Sequence, residues 1–411
     1  MTAVRRNTEN FLTGTVRSSR PWLQRLCTLG LALLLGSGPL TAPVLAQAPA
    51  SRYSQVDPLP PDTGAAGLKQ MLVRLQTTAR LMQTVAHPDD EDGGMLTLES
   101  RGKGVTTLLM TLTRGEGGQN KVGSNLFDVL GVLRTLELTA SDRYYGVEQR
   151  FSRVADFGYS KNPEETFQKW GGHDIPLSDI VRVIRTFHPD VLIARFSGTE
   201  RDGHGHHQAS AILTREAFRA AADPKRFPEQ IKEGLQLWQA KKLYIGNVCG
   251  FGATSCPPEN YTVKLNTGHV NPRLGMSYIQ FAMEGLRHQL SQGAGGWSVE
   301  PGDRFTYYKL VDSVIPPATD NDGHEKDFFD GIDTSLGTLI SPSDPPARKE
   351  LAEVEANIAQ AAKDAEKDPG SAAVPLSLVV ESLGRLESRL RGSNNQDQLA
   401  RLQEKESQAR T

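Results

Sequence analysis

The chain has 411 residues, enough for one sizeable core with additions, and its 38% hydrophobic and 23% charged composition excludes an intrinsically disordered chain. Lys and Arg number 46 against 48 Asp and Glu, a formal net charge of -2. That balance gives no electrostatic case for nucleic acid or an anionic membrane surface as a partner.

The N-terminus reads as an export signal rather than as part of the fold. Arg5, Arg6, Arg17, Arg20 and Arg25 make a basic stretch, Leu26 to Gly36 is a short apolar run, and Val44-Leu45-Ala46 offers small residues for cleavage after Ala46. No later segment is long and apolar enough to span a bilayer, so a soluble mature protein in the periplasm or outside the cell is expected. Residues 47–66 are rich in Pro and Ala and read as a linker, with the fold expected to start near Gly67.

From there apolar runs alternate with amphipathic ones. Leu81 to Ala86 and Val105 to Thr113 read as buried strands, with a helix between them over Asp92 to Arg101. Asn125 to Asp142 shows helical spacing at Leu126, Val129, Leu130, Leu133, Leu136 and Leu138. Leu177 to Phe187 reads as a helix stopped by Pro189, Val191 to Phe196 as a strand, and Gln208 to Ala222 as a helix. Strand and helix in alternation predict an α/β fold, a mostly parallel sheet flanked by helices, with ligands beyond the carboxyl ends of the strands. Past about Pro346 the chain turns Ala-, Glu-, Leu- and Arg-rich. Leu351 to Asp368 and Val374 to Arg391 predict a helical C-terminal extension broken at Pro369-Gly370. The expected organisation is therefore a signal peptide over 1–46, a linker over 47–66, a catalytic domain over 67–345 and a helical extension over 346–411.

Three polar clusters fall at or just after strand ends: AHPDDE at 86–91, TRGEGG at 113–118 and DGHGHH at 202–207. His and carboxylate are the nitrogen and oxygen ligands of a catalytic zinc, which takes three protein ligands and keeps a fourth position for water. His87 and Asp90 are three apart on a turn and can point to one centre, and a histidine of the third cluster completes the set. Zinc would lower the pKa of its water, the nucleophile of a hydrolysis. Asp89, next to a ligand but pointed differently, suits a general base, and a second histidine of the third cluster suits the oxyanion. Glu116 sits in a Gly-rich loop that allows close approach to a ligand. One ion per chain is expected, zinc by ligand type, with iron(II) or cobalt(II) also accepted by such ligands. Cys249 and Cys256, close together in an exported chain, predict a disulfide closing a small loop.

AHPDDE, TRGEGG and GHGHHQAS together resemble the PIG-L/LmbE family of zinc-dependent deacetylases, which act on N-acetylglucosaminyl and similar amides. The similarity runs from about residue 80 to 220, with weaker echoes to about 335. The resemblance implies a Rossmann-like fold, metal ligation by His87 and Asp90, and Asp89 as general base. The family's later H-x-x-H is matched by His204 and His207, which implies His207 as the third ligand and His204 as the oxyanion partner; His206 competes for the ligand role. Arg134, in Arg134-x-x-Glu137, matches an arginine that contacts substrate hydroxyls. His288 resembles a late histidine near the substrate, although the Gln that follows it falls one residue late. A sugar-binding Asp common in the family after the segment at Phe157-Gly158-Tyr159 is replaced here by Ser160-Lys161-Asn162. The implied activity is removal of an acetyl or other acyl group from an N-acylated amino sugar or related amide. The alternatives are a zinc hydrolase of another amide or ester, and a non-catalytic carbohydrate-binding relative. The expected partner is a small-molecule or glycan substrate, and the residues say nothing about oligomeric state.

Overall fold

Buried aliphatic runs set the centre of the sheet. Strands β1 (Arg80–Val85) and β4 (Val191–Ala194) are buried at every position, as strands covered on both faces must be. The computed structural model describes residues 58–250, 253, 255–391 and 396–411. The expected signal peptide and most of the expected linker lie outside the described residues.

In chain order the first half comprises α1 (Gly64–Leu75), β1, α2 (Gly93–Thr97), β2 (Thr106–Thr111), α3 (Asp128–Tyr145), β3 (Glu148–Phe151), α4 (Pro163–Lys169), α5 (Asp174–Phe187) and β4. There follow α6 (Gly205–Ala220), α7 (Pro228–Lys232), β5 (Lys242–Ile245), β6 (Val263–Asn266), β7 (Val270–Asn271), β8 (Met276–Ser277), α8 (Tyr278–Leu286), β9 (Phe305–Ser313), α9 (Pro345–Ala365), α10 (Ala373–Leu390) and α11 (Gln396–Arg410). Strands β1, β2, β3, β4 and β5 pair in parallel. β9 then runs antiparallel to β5 and pairs antiparallel with β6, giving the order β3-β2-β1-β4-β5-β9-β6. The mostly parallel sheet with flanking helices is the α/β architecture expected from the alternation. The antiparallel edge carries no alternation signal of its own in the sequence.

Strand order reverses between β1 and β4, and a doubly wound sheet opens a crevice at the carboxyl ends of the two strands flanking such a reversal. One face of the sheet is covered by α5 and α6 through Leu177, Ile180, Val181, Ile184, Leu213 and Ala217. The other is covered through Met95, Leu96, Leu138, Tyr145 and Ala282.

Leu59 is buried against Leu274 and Phe281, and α1 begins at Gly64, inside the segment read as linker. The C-terminal region is helical as expected, with α11 as a third helix. It shares a core with α1, where Leu72 and Leu75 meet Leu351, Val354, Ile358, Leu383 and Leu402. Cys249 and Cys256 form a disulfide with their Cα atoms 5.6 Å apart. Among the described residues no helix is long and apolar enough to cross a membrane.

Candidate metal centre and active site

The reversal between β1 and β4 brings the first and third polar clusters together. β1 ends at Val85, and the chain turns sharply through His87 to Asp90, with Asp89 at φ 88°, a region that L residues rarely adopt. Glu91 holds that turn from within. It is buried, its Oε2 accepts from the Asp89 N–H at 2.9 Å, and its Oε1 accepts from Tyr145 at 3.0 Å and Gln289 at 2.6 Å. Gln292 donates to the Pro88 carbonyl. Backbone strain at Asp89 is thus maintained by four side-chain contacts around the turn.

Asp90 is the hub of the cluster. Its Oδ2 accepts from the His87 N–H at 2.7 Å and lies 3.1 Å from His87 Nδ1, while its Oδ1 is 3.4 Å from His207 Nε2. Arg195, at the end of β4, donates to the Asp90 carbonyl at 2.7 Å. Burial works against ionisation of Asp90, but the charge and hydrogen bonds of His207 and His87 outweigh it and hold the carboxyl far below its ordinary range. Asp89 goes the other way. Crowding by the surrounding protein, then the charges of Asp90 and Glu91, raise it well above the usual aspartate value, against the pull of Arg134 and His207. Two adjacent carboxylates pushed apart in this way are suited to different tasks, one permanently anionic and one able to exchange a proton.

The third cluster starts α6. Gly205 at its first turn admits no side chain, because a Cβ there would lie 2.3 Å from the Asn162 carbonyl and 2.4 Å from Ser160 Oγ. His204 caps the helix, its Nδ1 accepting from the His206 N–H at 3.0 Å. That bond leaves Nε2 as the protonated nitrogen of a neutral His204, and burial followed by the charges of His87 and His207 lowers its pKa to about 4. His207 is fixed in the opposite sense. Its Nδ1 lies 3.1 Å from the Asp202 carbonyl, so Nδ1 carries the proton and the Nε2 lone pair faces Asp90. Phe196 stacks on its ring at 4.1 Å. Asp202 in turn accepts from the backbone of Ser197, Gly198 and Thr199, which ties the loop after β4 into one piece.

Two donor sets result, each with its ligand atoms within 4.8 Å of one another: His87, Asp90 and His207, and His87, His204 and His206. The first is the set expected from the sequence. Its chemistry fits a borderline divalent ion: two imidazoles and an ionised carboxylate, with an outer carbonyl orienting His207 as outer partners of zinc-bound histidines do. His206, the competitor, falls in the second set.

The tentative substrate residues divide. Arg134 is buried and donates to the carbonyls of Gly115 at 3.0 Å and Gln119 at 2.7 Å. Burial lowers its pKa, and the nearby Asp89, Asp156, Glu137 and Glu116 counter that, so its charge sits among the acids of the site. Glu116 accepts from the Arg114 and Asp156 N–H groups at 3.0 Å each and braces the loop after β2 against the loop after β3. Gly117 lies against Gly158 so closely that a Cβ would come 2.3 Å from the Gly158 nitrogen. His288 is exposed, and its ring packs on Tyr144 at 5.4 Å; from that segment Gln289 and Gln292 reach the first cluster instead. Ser160 is buried with its hydroxyl 2.8 Å from Thr166, beneath the start of α6. Sequence reasoning did not single out Glu91, Asp156, Arg195, Asp202 or Gln289. Only Glu91 and Asp202 carried a signal, by lying inside the first and third clusters.

Residues 82–218 match the family model described as PIG-L: GlcNAc-PI de-N-acetylase, a span that contains all three polar clusters. Over those residues the chain is similar to this family of deacetylases. It is 28% identical over 308 residues to 1D-myo-inositol 2-acetamido-2-deoxy-alpha-D-glucopyranoside deacetylase 2 of Frankia casuarinae, covering 62% of this chain and 94% of that relative. Among solved structures, N,N'-diacetylchitobiose deacetylase from Pyrococcus horikoshii aligns with a TM-score of 0.39 and 15% identity, over 56% of this chain and 84% of that one. GalB, the 4-carboxy-2-hydroxymuconate hydratase of Pseudomonas putida KT2440, aligns with a TM-score of 0.38 and 17% identity, over 59% and 99%.

Proposed function

We propose that this protein is an exported, divalent-metal-dependent hydrolase that removes an acetyl group from an N-acetylated amino sugar or a closely related amide. The observation that carries the reading is the convergence of His87, Asp90 and His207 beside the Asp89 carboxyl and the His204 ring, at the sheet's strand-order reversal. Zinc held by His87, Asp90 and His207 would supply Lewis acidity and a water of lowered pKa.

The chain's own residues account for the remaining chemistry. Asp89, held at the mouth of the site by the Glu91 clamp, takes up the proton of the attacking water. Its raised pKa suits it to keep that proton and pass it to the leaving amine. His204, neutral and protonated at Nε2 because its Nδ1 accepts from the helix backbone, donates to the carbonyl oxygen as negative charge grows there. Arg134 and Glu116 fix the loop after β2 that walls the site. The amino-sugar reading is supported by the acetamido-deoxy-glucopyranoside named for the Frankia relative. The basic and apolar N-terminal stretch supports export, and a pairing of Cys249 with Cys256 suits an oxidising compartment.

The test is acetate release from a panel of N-acetylglucosaminides and simple N-acetyl amides, using mature protein stripped of metal and then reloaded. Turnover of the glycosides that disappears on chelation and returns with zinc is the expected result. Full activity after exhaustive chelation, or no acetate from any member of the panel, overturns the reading. N-terminal sequencing of protein recovered from the periplasm or medium should begin at Gln47, and a mature protein retaining Met1 would refute export by a cleaved signal.

A further inference from the structure

The loop after β3 holds its backbone firmly and still leaves a large ring in solvent. The Asp156 N–H donates to Glu116 at 3.0 Å, and the Asp156 Oδ1 accepts from the Gly158 N–H at 2.7 Å. Gly158 sits at φ 91° against Gly117, and the Ser160 carbonyl accepts from the Gly205 N–H at 2.8 Å, where α6 begins. The polar side chains that follow turn inward: the Ser160 hydroxyl is 2.8 Å from Thr166, and the Asn162 side chain caps α4. Tyr159 lies between these anchors and is 67% exposed. Its ring stands 5.2 Å from the His204 ring, at 71° to it, and its hydroxyl is 3.4 Å from the Gly203 carbonyl. A tyrosine placed by packing buries its apolar body, so a ring left in water on a fixed backbone beside His204 is not explained by the core.

We propose that Tyr159 is the platform on which the pyranose ring of the substrate stacks, and that it makes the enzyme prefer a sugar amide to an acyclic one. The inference rests on the proposed function, in which His204 donates to the acetyl carbonyl oxygen. That role places the acetamide against His204, and the sugar carbon bearing the amide nitrogen follows directly. The pyranose therefore falls within reach of a ring centred 5.2 Å from that of His204. A gluco-configured pyranose presents on one face an apolar patch of axial C–H bonds. Laying that patch on the tyrosine face removes apolar area from water on both partners. An acyclic amide has no such flat face to offer. The anchored backbone and the two side-chain torsions of tyrosine keep the entropic cost of the contact small. The hydroxyl, beside the Gly203 carbonyl, lies at the edge of the ring and is not required for stacking.

The experiment compares acetate release from methyl N-acetylglucosaminide and from N-acetylethanolamine by zinc-loaded wild type, Tyr159→Ile and Tyr159→Phe. Tyr159→Ile keeps apolar bulk but loses the flat face, so KM for the glucosaminide should rise about tenfold with little change in kcat, and KM for the acyclic amide should not follow it. Tyr159→Phe keeps the face and should restore the wild-type KM. A second readout needs no turnover and no variant: in saturation-transfer NMR, irradiating the aromatic protons of wild type should mark the axial C–H protons of methyl glucosaminide, the deacetylated product, most strongly. Absence of that transfer overturns the platform whether or not the variants fold. An unchanged KM in Tyr159→Ile overturns it. An equal rise for both substrates would assign Tyr159 to holding His204, and overturns the platform while leaving the proposed function standing. A KM in Tyr159→Phe as high as in Tyr159→Ile would assign the effect to the hydroxyl and overturns it as well. No acetate from the glucosaminide with wild type, where N-acetylethanolamine is turned over, removes both the platform and the amino-sugar reading.

Discussion

At the amino ends of the strands, Arg80 pairs with Glu404 of α11 at 2.6 Å, and Arg401 donates to the Thr78 and His188 carbonyls at 3.0 and 3.1 Å. Asp397 meets His188, whose ring stacks on Trp238 at 4.3 Å, and Lys405 donates to the Arg74 carbonyl at 2.7 Å. At the carboxyl ends of the same strands, His87, Asp90, His204, His206 and His207 are just as crowded but face one another. Both ends concentrate buried polar groups. At the amino end a helix has been added whose charges meet the sheet's backbone and side chains one for one. At the carboxyl end the lone pairs converge on a common space. The difference is one of direction rather than of composition.

The comparison breaks most sharply at the two neighbouring aspartates. Asp89→Asn preserves size and tolerates the positive φ, but it removes the proposed base, and turnover should fall by about 10² to 10⁴ with metal content unchanged. Kinetics and elemental analysis on the same preparation check this, and loss of metal with Asp89→Asn would reverse the roles. Asp90→Ala removes the hub of the first donor set, so metal affinity should fall by about 10-fold or more and activity with it. Excess zinc should partly restore Asp90→Ala and should not restore Asp89→Asn.

At the sealed end the same kind of change should cost stability and leave the reaction alone. Arg401→Ala leaves two buried carbonyls without their donor, and unfolding in urea should show a loss of about 3 kcal/mol with kcat/KM unaltered. A loss of activity larger than the loss of folded protein would contradict this separation of the two ends. The smallest effect concerns Lys405. Burial, helped by the charges of Arg80, Arg74 and Arg401 and opposed by Glu404, lowers its pKa to about 7. The unfolded chain therefore binds a proton that the folded chain has released between about pH 7 and its ordinary 10.5. Stability should accordingly rise with pH through that window, by about 2 kcal/mol from pH 7 to 8.5. Lys405→Met should flatten the rise, as read from urea midpoints at the two pH values; an equal slope in wild type and variant would assign the dependence elsewhere.

The sheet and the carboxyl-end chemistry were legible because both leave local marks. Largely apolar strands such as 81–86 and 191–194 stand out by composition, and AHPDDE and DGHGHH put their candidate ligands within a few residues of one another. The amino-end seal left none, because Arg401 and Thr78 are brought together only by tertiary packing. The same reason hid Gln289, whose partner Glu91 is 198 residues away. Apolar spacing misled in one place: on α3, Leu130 and Leu138 are buried, but Val129 and Leu136 on the same predicted helix are exposed. Strand β9 was missed because its alternation is irregular, with polar and aromatic residues on both faces, and β6 because its alternation runs over only Val263–Asn266.

The contact of Gly117 with Gly158 has a consequence for changing what this protein accepts. Two loops that wall the site touch backbone to backbone, so Gly117 has no room for a side chain, Gly158 is held at φ 91°, and Gly115 and Gly118 are closed by the Arg134 side chain. A mutational library aimed at a new substrate would be wasted there. The neighbouring stretch is different. Val122, Leu126, Phe127, Val129 and Val132 are exposed, and Phe127 hangs on the same loop through its N–H to the Glu116 carbonyl at 3.0 Å. Variation belongs on that rim, where side chains can be exchanged without prising the two loops apart.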